Sequence, residues 1–179
     1  MRGLLLRFAA LAATVVVLAG CGSSGGGSKT SAADWASGYC RAATSWVTTL
    51  ESARKSVKTG NSPSNAAQTV THQTLTFTQA VNGLGEPDTP NGSTSASTAK
   101  ALTTKLQGRV ARISAAAGTN NSSVTAAQRK TVVGEQVTAS LSDVTTATAK
   151  LSQGDAELGK AMAASPDCAA LSKALASAG

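Results

Sequence analysis

The stretch SAADWASGYCRAATSWVTTLESARKSVK, residues 31–58, decides the fold. Its apolar positions Trp35, Tyr39, Ala42 or Ala43, Trp46, Leu50, Ala53 and Val57 recur at steps of three and four. That spacing keeps side chains on one face of an α-helix. Ser31, with Asp34 three residues on, suits a capping box at the helix start. Cys40 stands beside the stripe, next to Tyr39, so its thiol reaches a second helix from the edge of the core. Trp46 lies midway along the stripe and is expected to be a large buried side chain. Trp35 begins the helix, where fraying lowers what any contact contributes, and is expected to matter less.

Working downstream, Thr59, Gly60, Asn61 and Ser62 break this helix, and Ser62-Pro63 reads as an N-cap with proline at the first helical position. A second helix is predicted to about Asn82, with Ala67, Val70, Thr74, Phe77, Val81 and Leu84 inward. Threonine is a mediocre helix former, so packing must hold this segment. A turn-rich connection follows, through Gly83, Gly85, Pro87, Pro90, Asn91 and Gly92. A third helix, from about Ser95 to Ala117, faces inward with Ala99, Leu102, Leu106, Val110, Ile113 and Ala117.

After Gly118, Asn120 and Asn121, the pair Thr125 and Gln128 forms a second capping box, and Val133, Val137, Leu141, Val144, Leu151, Leu158 and Met162 carry the pattern onward. One straight helix from Thr125 to Met162 would measure about 57 Å. A bend or break is therefore expected near Gly154, since glycine costs about 1 kcal/mol in a helix interior. A last short helix should start near Ser165 and Pro166 and carry Cys168, Leu171 and Leu175. No strand-like alternation of convincing length interrupts these patterns. The expected fold is all-α: an antiparallel up-down bundle of about four main helices plus a short C-terminal helix, stapled by one disulfide.

The N-terminus sets the compartment. Arg2 and Arg7 precede an apolar run from Phe8 to Val17, which leads into Leu18, Ala19, Gly20 and Cys21. This resembles the lipobox of bacterial lipoprotein precursors, which implies cleavage before Cys21, a diacylglycerol on its thiol and an amino group open to acylation. The run is too short for a spanning helix, which needs about 20 apolar residues. Two or three acyl chains hold a protein durably, because each buried methylene contributes about 0.8 kcal/mol. The expected organisation is a signal peptide at 1–20, a lipidated cysteine and flexible Gly/Ser linker at 21–33, and a helical domain at 34–179. The expected location is the extracytoplasmic face of the cell membrane.

With Cys21 lipidated, Cys40 and Cys168 are an even pair outside the reducing cytoplasm, and a disulfide between them is expected. A metal site lacks ligands, for His72 is the single histidine and no paired cysteine spacing exists. Of 16 basic residues, two fall in the signal, so 14 stand against 9 acidic residues in the mature chain, a net of +5. They are scattered as Arg54, Lys55 and Lys58, then Arg109 and Arg112, then Arg129 and Lys130, without aromatic platforms or a nucleic-acid motif, and no nucleic-acid partner is expected. The preferred reading is a solvated helix surface, with attraction to anionic headgroups beneath the tether as the alternative.

Enzymatic chemistry has little footing. His72, among Thr71, Gln73 and Thr74, reads as a polar surface residue and not as a general base. The serines form no Gly-x-Ser-x-Gly elbow, and the glycines after Cys21 lack the ending of a phosphate loop. Asp143, Asp155 and Glu157 are candidates for a shared site, Asp155 lying close to an inward stripe; the simpler reading puts Asp155 at the helix break, facing water or capping the following turn.

Asp34-Trp35, Tyr39-Cys40, Trp46, Leu84-Gly85-Glu86-Pro87, Leu158-Gly159-Lys160-Ala161-Met162 and Ser165-Pro166-Asp167-Cys168-Ala169-Ala170-Leu171 together resemble the small secreted or lipid-anchored helical proteins numerous in actinobacteria. The resemblance implies a disulfide-bonded helical bundle without an established activity. Two functions follow as expectations: a membrane-tethered module that presents a polar helix face to an envelope protein, or a binding protein holding a small apolar or lipidic ligand between helices. No catalytic residue and no cofactor is expected, and alanine-rich stripes favour the first function because closely approaching helices leave little spare volume. A cavity lined by Trp35, Tyr39, Trp46 and Phe77 would favour the second.

Overall fold

The inward stripes read from the sequence are the buried faces of four long helices. The computed structural model describes residues 29–59, 63–118 and 125–178. Along these run α1 (Ala32–Lys58), α2 (Pro63–Gly83), α3 (Gly92–Ala117), α4 (Ala126–Gly154), α5 (Ala156–Ala164) and α6 (Pro166–Ala178), with two-residue strands β1 (Lys29–Thr30) and β2 (Glu86–Pro87). Residues 1–28, on which the expected signal peptide, the Cys21 anchor and most of the expected linker fall, lie outside the described residues.

Successive long helices pack as neighbours, and α1 closes the bundle against α4. Cross-connections set the directions. Ser64 at the start of α2 donates to the Ala117 carbonyl at the end of α3, 3.0 Å away. Asn91, ahead of α3, donates to the Gly154 carbonyl at the end of α4, 2.9 Å away. The fold is thus an all-α bundle whose long helices alternate in direction. One end gathers Lys29, residues 84–92 and the α4–α5 break; the opposite end gathers the close of α1 and α3 and the start of α2 and α4.

Local chemistry explains where the helices begin and stop. Ser31 caps α1 by accepting from the Asp34 N–H at 3.1 Å. Thr125 and Gln128 form a reciprocal capping box on α4. The break expected near Gly154 is present: α4 ends there, and the Asp155 carboxylate caps α5 by accepting from the N–H groups of Glu157 and Leu158, both at 3.1 Å. Gly159 is needed for packing, because a Cβ there would stand 2.3 Å from the Ser152 carbonyl oxygen.

The centre of the bundle is aromatic. Trp35 stacks on Tyr39 with ring centroids 5.5 Å apart, and Phe77 lies 6.3 Å from both Tyr39 and Trp46. All four are buried. The Trp46 indole N–H donates to Thr74 Oγ1 at 2.8 Å, and the Thr74 hydroxyl donates to the Val70 carbonyl at 2.8 Å, so this buried polar pair is satisfied.

Two expectations change near the chain's entry. The domain was expected from Asp34, yet the chain joins the fold at Lys29, where β1 pairs in parallel with β2. The Thr30 hydroxyl donates to the Leu84 carbonyl at 2.5 Å, and the Asp88 N–H donates to the Thr30 carbonyl at 2.7 Å. Two paired residues are too few to leave a periodic signal in sequence. Beside this strap Trp35 is 0% exposed and donates its indole N–H to the Gly85 carbonyl at 3.2 Å, contacts that oppose the fraying expected at the start of α1.

Candidate functional site

The cysteines come together as the sequence implied. Cys40 of α1 and Cys168 of α6 form a disulfide, with Cα atoms 4.8 Å apart. Around it, Ser37 and Arg41 of α1 reach Asp167 of α6: Ser37 donates to Asp167 Oδ2, and Arg41 pairs with the same oxygen at 3.1 Å. These hydrogen bonds, with the Arg41 charge, hold the Asp167 carboxyl below the ordinary carboxylate range despite a smaller opposing effect of desolvation. The motif residues around Leu84 and Asp167 therefore serve to fasten one end of the bundle.

The three carboxylates weighed as a shared site do not form one. Asp143 on α4 and Asp155 just past its end are twelve positions apart, about 18 Å along the α4 axis. Asp143 accepts from Arg109 of α3, and Lys105 pairs with it at 2.7 Å. Burial pushes its pKa up, but the hydrogen bonds and charges of Arg109 and Lys105 outweigh that and leave it lowered. Asp155 is buried and caps the next helix from inside, accepting also from the Thr89 hydroxyl. Burial again acts upward, while the Thr89 hydroxyl and the N–H groups of Leu158, Asn91 and Glu157 bring the pKa down. Both are anionic clamps between elements. Glu157 is exposed.

His72 is exposed on α2 and borders a groove of about 560 Å³ between α2 and the end of α3, where Ala67, Leu75 and Ala117 supply apolar surface. Leu75 is half-exposed, an uncommon state for a large apolar side chain in this protein. Tyr39 donates or accepts a hydrogen bond with Thr148 at 3.3 Å, and burial pushes its pKa up to about 12. It stays protonated at neutral pH.

Sequence reasoning missed how the cations assemble. Arg54 and Lys58 near the end of α1 face Lys130 near the start of α4 across a groove of about 220 Å³ floored by Val57 and Val133. The periodic signal marks which face of each helix is inward, and it carries no information about which outward residues share an end. Among the described residues, no three His, Cys, Asp or Glu side chains gather as a metal-holding group, and no helix is long and apolar enough to cross a membrane. Comparison with protein-family models, with curated proteins and with solved structures gives no match.

Proposed function

We propose that the chain is a lipid-anchored, non-catalytic interaction module of the cell envelope, held to the membrane by acyl chains on Cys21 and presenting its bundle to an envelope component. The observation that carries this reading is the packing of Trp35, Tyr39, Phe77 and Trp46 against one another, which fills the space where a ligand between helices would sit. A dry pocket needs unfilled apolar volume, and close-packed rings leave none at that point. Recognition then falls to the outer surface.

The alternative, a binding protein for a small apolar or lipidic ligand, has its support in the α2–α3 groove with its half-exposed Leu75. Crosslinking in intact envelopes, followed by identification of both co-purified proteins and extracted lipids, separates the two. A reproducible protein partner supports the module, and a stoichiometric lipid with no partner overturns it. The anchor has its own test. Cys21→Ser is expected to abolish labelling by a fatty-acid analogue and release the protein into the medium, and unchanged labelling refutes the anchor.

A further inference from the structure

Charge is unevenly distributed along the bundle. The end holding Lys29, the 84–92 connection and the α4–α5 break balances its ions, with Lys29 on Asp88 at 3.2 Å and Arg41 on Asp167 at 3.1 Å. Midway, Asp143 is shared by Lys105 and Arg109. The opposite end carries Arg54, Lys55, Lys58, Arg112, Arg129 and Lys130 against only Glu51 and Glu135, so it holds most of the net positive charge.

Within that end, the α1–α4 groove has the chemistry of an anion site. Lys58 and Lys130 are exposed on facing helices, Arg54 lines the same groove one turn before Lys58, and Val57 and Val133 give it a buried apolar floor. Glu51 pairs with Arg54 from beneath, Nε to Oε1 at 2.9 Å and Nη2 to Oε2 at 3.1 Å, which orients the guanidinium while leaving it further N–H donors. The first turn of α4 holds no acidic residue, and Lys130 follows close behind it. Gly134 lines the same groove, and nothing lies within 4 Å of the point where its Cβ would be. The recess is open at that wall.

We propose that this groove binds a phosphate group borne by a polymer that lies away from the anchoring membrane. The two exposed lysines and the remaining N–H donors of Arg54 converge from two helices on one recess, and Arg and Lys together suit the several oxygens of a phosphate. The choice of a polymer over a lipid headgroup rests on the tether reading: Cys21 is eight residues before Lys29, and α1 carries Lys58 about 40 Å beyond its own start. The Cys21→Ser experiment tests that reading separately.

The test is titration of the full chain in neutral detergent with inorganic polyphosphate of defined length, with polyglutamate of matched charge, and with vesicles of phosphatidylglycerol in phosphatidylcholine. Polyphosphate is expected to bind most tightly, and Lys58→Gln with Lys130→Gln to weaken it about tenfold. Lys100→Gln with Lys173→Gln removes the same charge elsewhere and is expected to change affinity less than about twofold. Gly134→Leu keeps every charge, sets its Cβ where nothing lies within 4 Å, extends its side chain toward the groove, and is expected to weaken binding while the melting temperature holds or rises. Equal losses in the two lysine pairs, undiminished binding by Gly134→Leu, equal affinity for polyglutamate, binding to vesicles alone, or no binding to polyphosphate each overturn the proposal.

Discussion

Replacing Trp35 by alanine probes whether the short strap at Lys29–Thr30 secures the first turn of α1. The indole is fully buried, stacks on Tyr39 and donates to the Gly85 carbonyl. An aromatic side chain of this kind buries about 200 Å², which at about 25 cal/mol/Å² corresponds to roughly 5 kcal/mol as an upper value. Aromatic truncations in cores cost about 3 to 5 kcal/mol, and the carbonyl left without its donor adds to the loss. Trp46→Ala removes an equally buried ring from the middle of the same helix, so the two variants are expected to cost the same within about 1 kcal/mol. Urea titration followed by circular dichroism measures both, since fluorescence would lose its own probe. If Trp35→Ala costs less than about 1.5 kcal/mol while Trp46→Ala costs more than about 3, the helix frays there and the strap does not hold it.

Four further outcomes are expected. Reduction of Cys40–Cys168, which stand 128 positions apart, should lower the melting temperature by about 10–20 °C on the chain-entropy account, with helical signal retained in the cold; an unchanged melting temperature refutes the staple's role. Asp143 and Asp155 both have lowered pKa values, so their stabilisation is present above the unfolded-state pKa of about 3.9 and is lost as pH falls through the lower folded values. Urea midpoints should therefore fall below about pH 4, and the Asp155→Asn variant should show a shallower fall. Asp155→Ala should cost about 1–2 kcal/mol through the lost cap on α5, measured by the same titration. Gly159→Ala, normally a gain of about 1 kcal/mol in a helix, should destabilise instead because its methyl meets the Ser152 carbonyl; a gain in stability would show that α5 sits farther from α4.

What the sequence determined by itself is the set of helices and their inward faces. Burial selects one side of each helix, so a 3.6-residue repeat in the chain already states which of Trp46, Phe77, Leu106 and Val144 enter the core. The capping residues at Ser31 and Thr125 and the break at Gly154 were legible too, because caps and glycines act within a few residues of their own position. The disulfide followed from having just two candidate cysteines beyond Cys21. Tertiary structure decided everything that depends on partners distant along the chain. Thr30 finds the Leu84 carbonyl 54 residues away, Arg109 finds Asp143 34 residues away, and Thr89 finds Asp155 66 residues away. Likewise Arg54 and Lys58 meet Lys130 only because α1 and α4 run in opposite directions side by side. Hydrophobic periodicity specifies a face, whereas a polar contact depends on the axial level and neighbour of that face, and those arise only when the helices pack.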